Sequence, residues 1–145
     1  MAIVRDRPYG NAHFSVDLGD GEARSFLEAL LPEMIITYQE FREGNDPQNA
    51  RKAAMYPRFS NLILRRGFTG DLSLYQWWQA VADGQNDQRR SLTVNLLSED
   101  RTVVVASWRI SNAFPVRYSV APLDGCDGGV LVETLELTCE GVRME

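Results

Sequence analysis

Alternating apolar and polar residues recur along most of the chain and predict a mainly β fold. In residues 12–18, Phe14, Val16 and Leu18 alternate with polar side chains, which is the spacing of a strand with one buried face. Ser111-Asn112 is predicted to form a turn between two strands. Further strands are predicted at 33–41, 61–66, 91–97, 102–110, 115–120 and 130–138.

One segment, residues 71–83, has clear helical spacing. Asp71 precedes it as a possible cap, and Gly84 follows it as a possible C-terminal stop. Its apolar residues lie at i, i+3, i+4 and i+7, and two of them are tryptophans with a large area to bury. We therefore predict one helix anchored to the sheet through Leu74, Trp77, Trp78 and Val81.

Two segments are less regular. Residues 22–31 place Phe26, Leu27, Leu30 and Leu31 at helical spacing, and whatever forms there ends at Pro32. Residues 42–56 are polar and contain glycine and proline, so we predict a long loop that projects from one end of the domain.

The two strands that flank this loop each have an apolar set and an alternate set of residues. Met34, Ile36 and Tyr38 share one face, and Leu62 and Leu64 form the matching face. We predict that these two apolar sets lie in the core of the domain.

The order of strands, one helix and more strands favours a single domain over residues 1–145. We predict a mainly β, antiparallel sandwich or barrel with one α-helix packed on it. The 145 residues are 44% hydrophobic and 24% charged, which suffices for a core without a metal or disulfide.

Charge and motifs argue against several functional classes. The formal net charge of −5 lacks the basic excess of nucleic-acid-binding proteins. The N-terminus predicts no signal peptide, and no apolar run is long enough for a membrane helix, so we expect synthesis in the cytoplasm.

The residues that could carry chemistry are scattered. His13 is the single histidine and lies on a predicted strand, while Glu133 and Glu136 lie on opposite faces of another. Cys126 and Cys139 could pair, although two idle thiols are favoured, and no further ligands cluster with them. We expect no enzymatic activity, no cofactor and no metal.

Six motifs, in order along nearly the whole chain, resemble those of the phage tail tube family typified by the tube protein of T-even phages. This family includes inner tube subunits of contractile phage tails and of phage-tail-like injection systems. The motifs are Tyr9 with 14–16, Phe41-Arg42-Glu43-Gly44, residues 59–69, the Leu-x-x-Trp helix at 74–78, the turn at 111–118 and the strand at 132–141.

The resemblance implies a structural subunit that forms six-membered rings, which stack into a hollow tube inside a contractile sheath. It implies copies of the same chain, sheath and baseplate proteins, and a cargo of DNA or a protein effector as partners. The protein would be part of a virion tail or a tail-like particle. It also favours strand and bend over helix at 22–31.

The resemblance assigns two sets of residues to the assembly. The channel-facing set is the alternate face of the two strands: Glu33, Ile35, Thr37, Gln39, Asn61, Ile63 and Arg65. The ring-stacking set lies in the long loop: Arg42, Glu43, Asp46, Arg51, Lys52, Met55 and Tyr56.

Two alternatives remain open. Residues 52–57 depart from the family's usual pattern, which would suit a specialised ring near the baseplate that initiates the tube. A monomeric β-barrel binding module, from a different functional class, would keep the fold without assembly.

Overall fold

The computed structural model describes residues 1–42, 44, 50–85 and 88–145. This part of the chain contains ten strands and one helix, and the helix lies between the sixth and seventh strands. They are β1 (Phe14–Asp17), β2 (Ala23–Arg24), β3 (Glu28–Leu30), β4 (Met34–Phe41), β5 (Arg51–Phe59), β6 (Leu62–Gly67), α1 (Ser73–Ala82), β7 (Arg90–Leu97), β8 (Val104–Val120), β9 (Val132–Thr138) and β10 (Gly141–Met144).

Every pairing between the described strands is antiparallel. Apart from β4 and β5, these strands form two half-sheets joined by the long strand β8. The first half-sheet contains β2, β1, β7, the first half of β8 (104–113) and β10. The second half-sheet contains the second half of β8 (114–120), β9, β6 and β3. The strand changes partners at Asn112, whose φ of 52° lies in the left-handed region that asparagine tolerates.

The core lies between the half-sheets. Val16, Leu92 and Ile110 project from the first half-sheet, and Leu62, Leu64, Leu135 and Leu137 from the second. Each is at most 1% exposed, so the two apolar faces cover each other. The mainly β, antiparallel fold with one helix is confirmed.

Helix α1 covers the core beside β8. Leu74 and Trp77 are buried, and the indole N–H of Trp77 donates a hydrogen bond to the Gln88 carbonyl oxygen at 2.7 Å. Trp78 and Val81, also in the predicted anchor, are only partly buried. The N-cap is Leu72 and not Asp71; Asp71 lies one residue earlier, where its Oδ1 accepts a hydrogen bond from Ser73 N at 3.0 Å.

Strands β4 and β5 form a separate two-stranded hairpin. It continues the β3–β6 pair past Pro32 on one strand and Ser60 on the other, and Ser60 N donates to the Glu33 carbonyl oxygen at 3.2 Å. Residues 51–58 are all exposed, so the hairpin stands clear of the core.

Three sequence predictions are wrong in detail. Residues 51–56, predicted as loop, belong to β5. Ser111-Asn112 is a bend within the continuous strand β8 and not a turn between two strands. The prediction of a core position for Met34, Ile36 and Tyr38 is also wrong, because they are 50%, 57% and 63% exposed. The hairpin carries them past the edge of the domain.

Residues 22–31 form β2 and β3, as the resemblance implied.

Candidate assembly surfaces

The hairpin presents one apolar face. Residues paired across an antiparallel ladder share a face, and Met34 pairs with Phe59, Ile36 with Pro57 and Tyr38 with Ala54. Toward the tip, the same face ends in the pair Glu40 and Lys52, and the Lys52 ammonium lies 5.3 Å from the centroid of the Tyr38 ring. Exposed apolar side chains gathered on one face of a projecting ribbon are typical of a protein–protein interface.

The opposite face of the hairpin is more polar. Ile35 pairs with Arg58, Gln39 with Ala53 and Phe41 with Arg51. Between them the register shifts at a β-bulge, where Thr37 Oγ1 donates to the Tyr56 carbonyl oxygen at 3.0 Å and accepts from Tyr56 N at 3.2 Å. These bonds hold the bulge, which increases the local twist of the ribbon.

The hairpin and the second half-sheet carry every predicted channel-facing residue. Glu33 is exposed at the base of the hairpin, Ile35 and Thr37 are partly buried, and Gln39 is exposed. Asn61 and Ile63 are partly buried and Arg65 is exposed; they lie on the side of the second half-sheet away from the core.

The predicted ring-stacking residues divide between strand and loop. Arg42 follows β4 directly, and Arg51, Lys52, Met55 and Tyr56 are exposed on β5. Glu43 and Asp46 lie outside the described residues. The structure therefore places most of this set on the projecting hairpin.

The outer face of the second half-sheet is polar with balanced charge. Arg65 Nη1 lies 3.3 Å from Glu28 Oε2, and Asn61 Nδ2 donates to Glu136 Oε2 at 2.9 Å. Arg117 on β8 stands directly opposite Glu136 in the ladder. The two positive and two negative residues of this face leave it without a net formal charge.

The second half-sheet has two open edges. At one end, β3 pairs with β6 on one side only, and at the other end residues 114–120 pair with β9 on one side only, so far as the described strands go. An open strand edge presents unpaired N–H and C=O groups that can hydrogen-bond to a strand of another chain.

A buried polar cluster ties this half-sheet to the start of α1. Glu133 is 1% exposed; its Oε1 accepts a hydrogen bond from Arg66 Nε, and its Oε2 accepts one from the Tyr118 hydroxyl group at 2.6 Å. Arg66 Nη2 also lies 3.6 Å from Asp71 Oδ2. Burial, together with the hydrogen bond to Glu133, raises the pKa of Tyr118 to about 12.

Sequence reasoning placed Glu133 and Glu136 on opposite faces, as observed, but did not identify Glu133 as buried. The signal was available, because Glu133 stands two and four residues before Leu135 and Leu137, on the core face. A polar residue in such a series needs a partner, and Arg66 shares its face on β6.

Nothing in the described part of the chain groups three or more histidine, cysteine or acidic residues as metal ligands. Cys126 is exposed and Cys139 is partly buried, and both are free thiols; burial raises the pKa of Cys139. None of the described helices is long and apolar enough to span a bilayer.

Comparison with solved structures shows similarity to proteins of contractile assemblies. A chain in the sheath–tube complex of the PVC extracellular contractile injection system is 25% identical, with a TM-score of 0.85, 97% of this chain covered and 93% of that chain. A chain in the tube-terminating cap of the anti-feeding prophage is 27% identical, with a TM-score of 0.85 and coverage of 100% and 95%. Hcp1 from Flavobacterium johnsoniae, at 16% identity and a TM-score of 0.59, shares the fold, with coverage of 90% and 93%.

A search of curated protein sequences finds no significant match. Residues 10–143 match the family described as T4-like virus tail tube protein gp19. This match spans more than nine tenths of the chain and includes both half-sheets, the hairpin and the helix. The chain belongs to the T4-like virus tail tube protein gp19 family.

Proposed function

We propose that this protein is a structural subunit of the inner tube of a contractile phage tail or phage-tail-like injection system. Six copies form a ring, rings stack into a hollow tube, and the tube carries DNA or a protein effector. Sheath and baseplate proteins are the further partners. The observation that carries the proposal is the pair of open edges on the second half-sheet of a chain in the tail tube family.

In this arrangement, β3 of one subunit pairs with the second half of β8 of the next. Identical contacts of this head-to-tail kind close into a ring when the rotation between subunits allows it. Ring closure would leave neither edge of the second half-sheet exposed, because each second half-sheet would continue into that of the next subunit. The four strands of each second half-sheet then line the channel.

The polar outer face of the second half-sheet suits a channel lining. Its charges are few and balanced between Glu28, Arg65, Arg117 and Glu136, so it offers no strong field of either sign to retain a charged cargo. This geometry supports the proposal that Asn61, Ile63 and Arg65 face the channel, and Glu33, Ile35, Thr37 and Gln39 would continue the lining along the hairpin.

The hairpin is the stacking element in this proposal. Its apolar face is exposed in the subunit, and a neighbouring copy would cover it in the assembly. Arg42, Arg51, Lys52, Met55 and Tyr56 accompany it, with Glu43 and Asp46 beyond the described residues. A baseplate-proximal ring would use the same edges, but would stop after a single layer.

A single backbone change tests the ring contact. Ala121 N donates to the Val132 carbonyl oxygen at 2.9 Å, so by the alternation of an antiparallel ladder the N–H of Val120 points to the open edge. Val120→Pro removes this donor and leaves the hydrogen bonds to β9 in place. Val120→Thr, which keeps the N–H, is the matched control.

Sedimentation and negative-stain microscopy give the readout. We expect rings or tubes from the unaltered protein and from Val120→Thr, and a loss of assembly in Val120→Pro with an unchanged circular dichroism spectrum. An unaltered protein that stays near 16.4 kDa at high concentration, with sheath and baseplate proteins present, would favour the monomeric binding module instead.

A further inference from the structure

Loop 121–131 closes the end of the second half-sheet that lies opposite the hairpin. It joins β8 to β9, and β9 begins at Val132, which pairs with Gly67 at the last residue of β6. The hairpin joins β6 at its other end, through Ser60. The loop and the hairpin therefore lie at opposite ends of the strands that are proposed to line the channel.

The loop exposes two apolar side chains beside an ordered turn. Leu123 is 86% exposed and Val130 is 78% exposed, the highest values among the large apolar residues of the described chain beyond position 4. Asp124 holds the turn between them: its carbonyl oxygen accepts a hydrogen bond from Asp127 N at 3.3 Å, and its Oδ1 accepts one from Cys126 N at 2.9 Å. Because these bonds order the turn, a partner could bind it with little further loss of conformational entropy.

The loop also surrounds a cavity at this end of the half-sheet. The cavity has a volume of about 330 Å³ and is lined in part by Leu123, Val130 and Leu131, which places it at the lower end of the range of ligand pockets. Phe68 and Leu72, in the connection from β6 to α1, are exposed at the same end, and Phe68 N donates to the Leu131 carbonyl oxygen at 2.8 Å. We call the four exposed residues Phe68, Leu72, Leu123 and Val130 the loop-end surface.

The hairpin carries the second exposed apolar surface of this half-sheet. Met34, Ile36 and Tyr38 are each at least half exposed on one face of the projecting ribbon. Exposed apolar groups gathered in this way mark contact surfaces. Two such surfaces at opposite ends of one subunit cover each other when copies are arranged head-to-tail, and this contact repeats along an axis without closing.

Charge favours contact of the hairpin with the loop over contact between two hairpins. Strand β5 carries Arg51, Lys52 and Arg58 and no acidic residue, whereas loop 121–131 carries Asp124 and Asp127 and no basic residue. Two hairpins in contact would bring the β5 cations of both copies together. Complementary charges of this kind select the partner and its orientation more than they add affinity.

We propose that the apolar face of the hairpin packs on the loop-end surface of a copy in the next ring, with Leu123 and Val130 as its main contacts. This inference rests on the proposed tube and names the surface that covers the hairpin. The hairpin lies beyond β3 and the loop lies beyond β8. One subunit can therefore make the ring contact and the stacking contact at the same time.

Crosslinking through Cys126 tests the contact in assembled protein. Cys126 is an exposed free thiol in the loop, and Ala54 and Ala53 are neighbours on the apolar face and the opposite face of the hairpin. In assembled Ala54→Cys, a short bis-maleimide reagent should join position 54 of one copy to Cys126 of another and give a ladder of linked chains. Ala53→Cys, the matched control, should give this product in much lower yield, and Cys126→Ser should abolish it.

A positive charge at Leu123 tests the loop side of the contact. Leu123→Lys should raise the protein concentration at which tubes form by more than about tenfold and leave single rings, because the contact would bury a charge beside the β5 cations. The circular dichroism spectrum should not change, since Leu123 is exposed in the subunit. Leu123→Met keeps an apolar side chain, so this control should still form tubes.

The outcomes separate this inference from the proposed function. Tubes of Ala54→Cys whose crosslinks join position 54 only to itself, or never reach Cys126, would overturn the contact of hairpin and loop and leave the tube intact. Long tubes from Leu123→Lys, at the concentration that suffices for the unaltered protein, would overturn it as well. An unaltered protein that never assembles would overturn both.

Discussion

The Tyr118 hydroxyl group donates a hydrogen bond to Glu133 Oε2 at 2.6 Å. The Glu133 side chain is buried, with only 1% of its surface exposed. Arg66 binds the other oxygen of the same carboxylate. The three residues come from β8, β9 and β6, so the cluster links three strands of the second half-sheet. Because this half-sheet provides both open edges, its internal order sets the geometry of the proposed ring.

Removal of the buried carboxylate should destabilise the subunit. Glu133→Ala leaves the partly buried Arg66 with only the more distant Asp71 as a carboxylate partner, and Tyr118 without an acceptor, which costs about 3 kcal/mol in the free energy of unfolding. Glu136→Ala, three residues away on the opposite face, is the control and should cost less than about 0.5 kcal/mol. Urea unfolding measures both, and equal losses would contradict the assigned role of the cluster.

Alkaline pH should weaken the fold through Tyr118. Its pKa is raised to about 12, first by burial and then by its hydrogen bond to Glu133, above the ordinary value of about 10. The unfolded chain therefore releases the proton at lower pH than the folded chain, and stability falls as pH rises from about 10 to 12. The difference in unfolding free energy between the unaltered protein and Tyr118→Phe should shrink over this window, and a constant difference would refute the mechanism.

Thiol labelling should distinguish the two outer faces in assembled protein. Thr134→Cys lies on the outer face of the second half-sheet and Thr93→Cys on that of the first, each in a Cys126→Ser background because Cys126 is exposed. With a reagent too large to enter the channel, the cysteine at 134 should react much more slowly in tubes than in dissociated subunits. Labelling at position 93 is the control, because it shows whether assembly slows the reaction of every cysteine. If position 134 reacts as fast in tubes as in dissociated subunits, the outer face of the second half-sheet does not line the channel.

The apolar face of the hairpin should matter for stacking and not for folding. Ile36 is 57% exposed, so Ile36→Asp should change the free energy of unfolding by less than about 0.5 kcal/mol. It should nonetheless prevent long tubes, because it places a charge in the contact that a second copy covers. Gln39→Asp, on the other face, is the control for added charge, and long tubes from Ile36→Asp under the electron microscope would exclude this face from stacking.

Hydrophobic alternation predicted the shared faces of the strands but not what covers them. Leu62 and Leu64 lie in the core, as predicted, because β6 has a neighbour on each side and the first half-sheet above it. Met34, Ile36 and Tyr38 do share a face, but on a ribbon that leaves the domain. The alternation of apolar and polar residues is the same whether the apolar face is buried within its own chain or against a second copy.

The missed strand and the missed cluster have separate physical reasons. Residues 51–58 include Arg51, Lys52 and Arg58 and are exposed throughout. Because neither face of this strand is buried in the subunit, its sequence lacks the apolar–polar alternation that predicts a strand. Glu133 was read as one more acidic residue because its partners, Arg66 and Tyr118, are remote in sequence. Only the strand order, which brings β6, β8 and β9 together, makes the carboxylate a core residue.

The central claim, that the second half-sheet lines the channel of a tube of six-membered rings, is tested most directly by cryo-electron microscopy of assembled protein. We expect rings of six subunits in which β3 of each subunit is hydrogen-bonded to residues 114–120 of the next, with Arg65, Arg117 and Glu136 facing the lumen. A tube whose lumen is lined by the first half-sheet, or rings in which β3 and β8 remain unpaired between subunits, would contradict it.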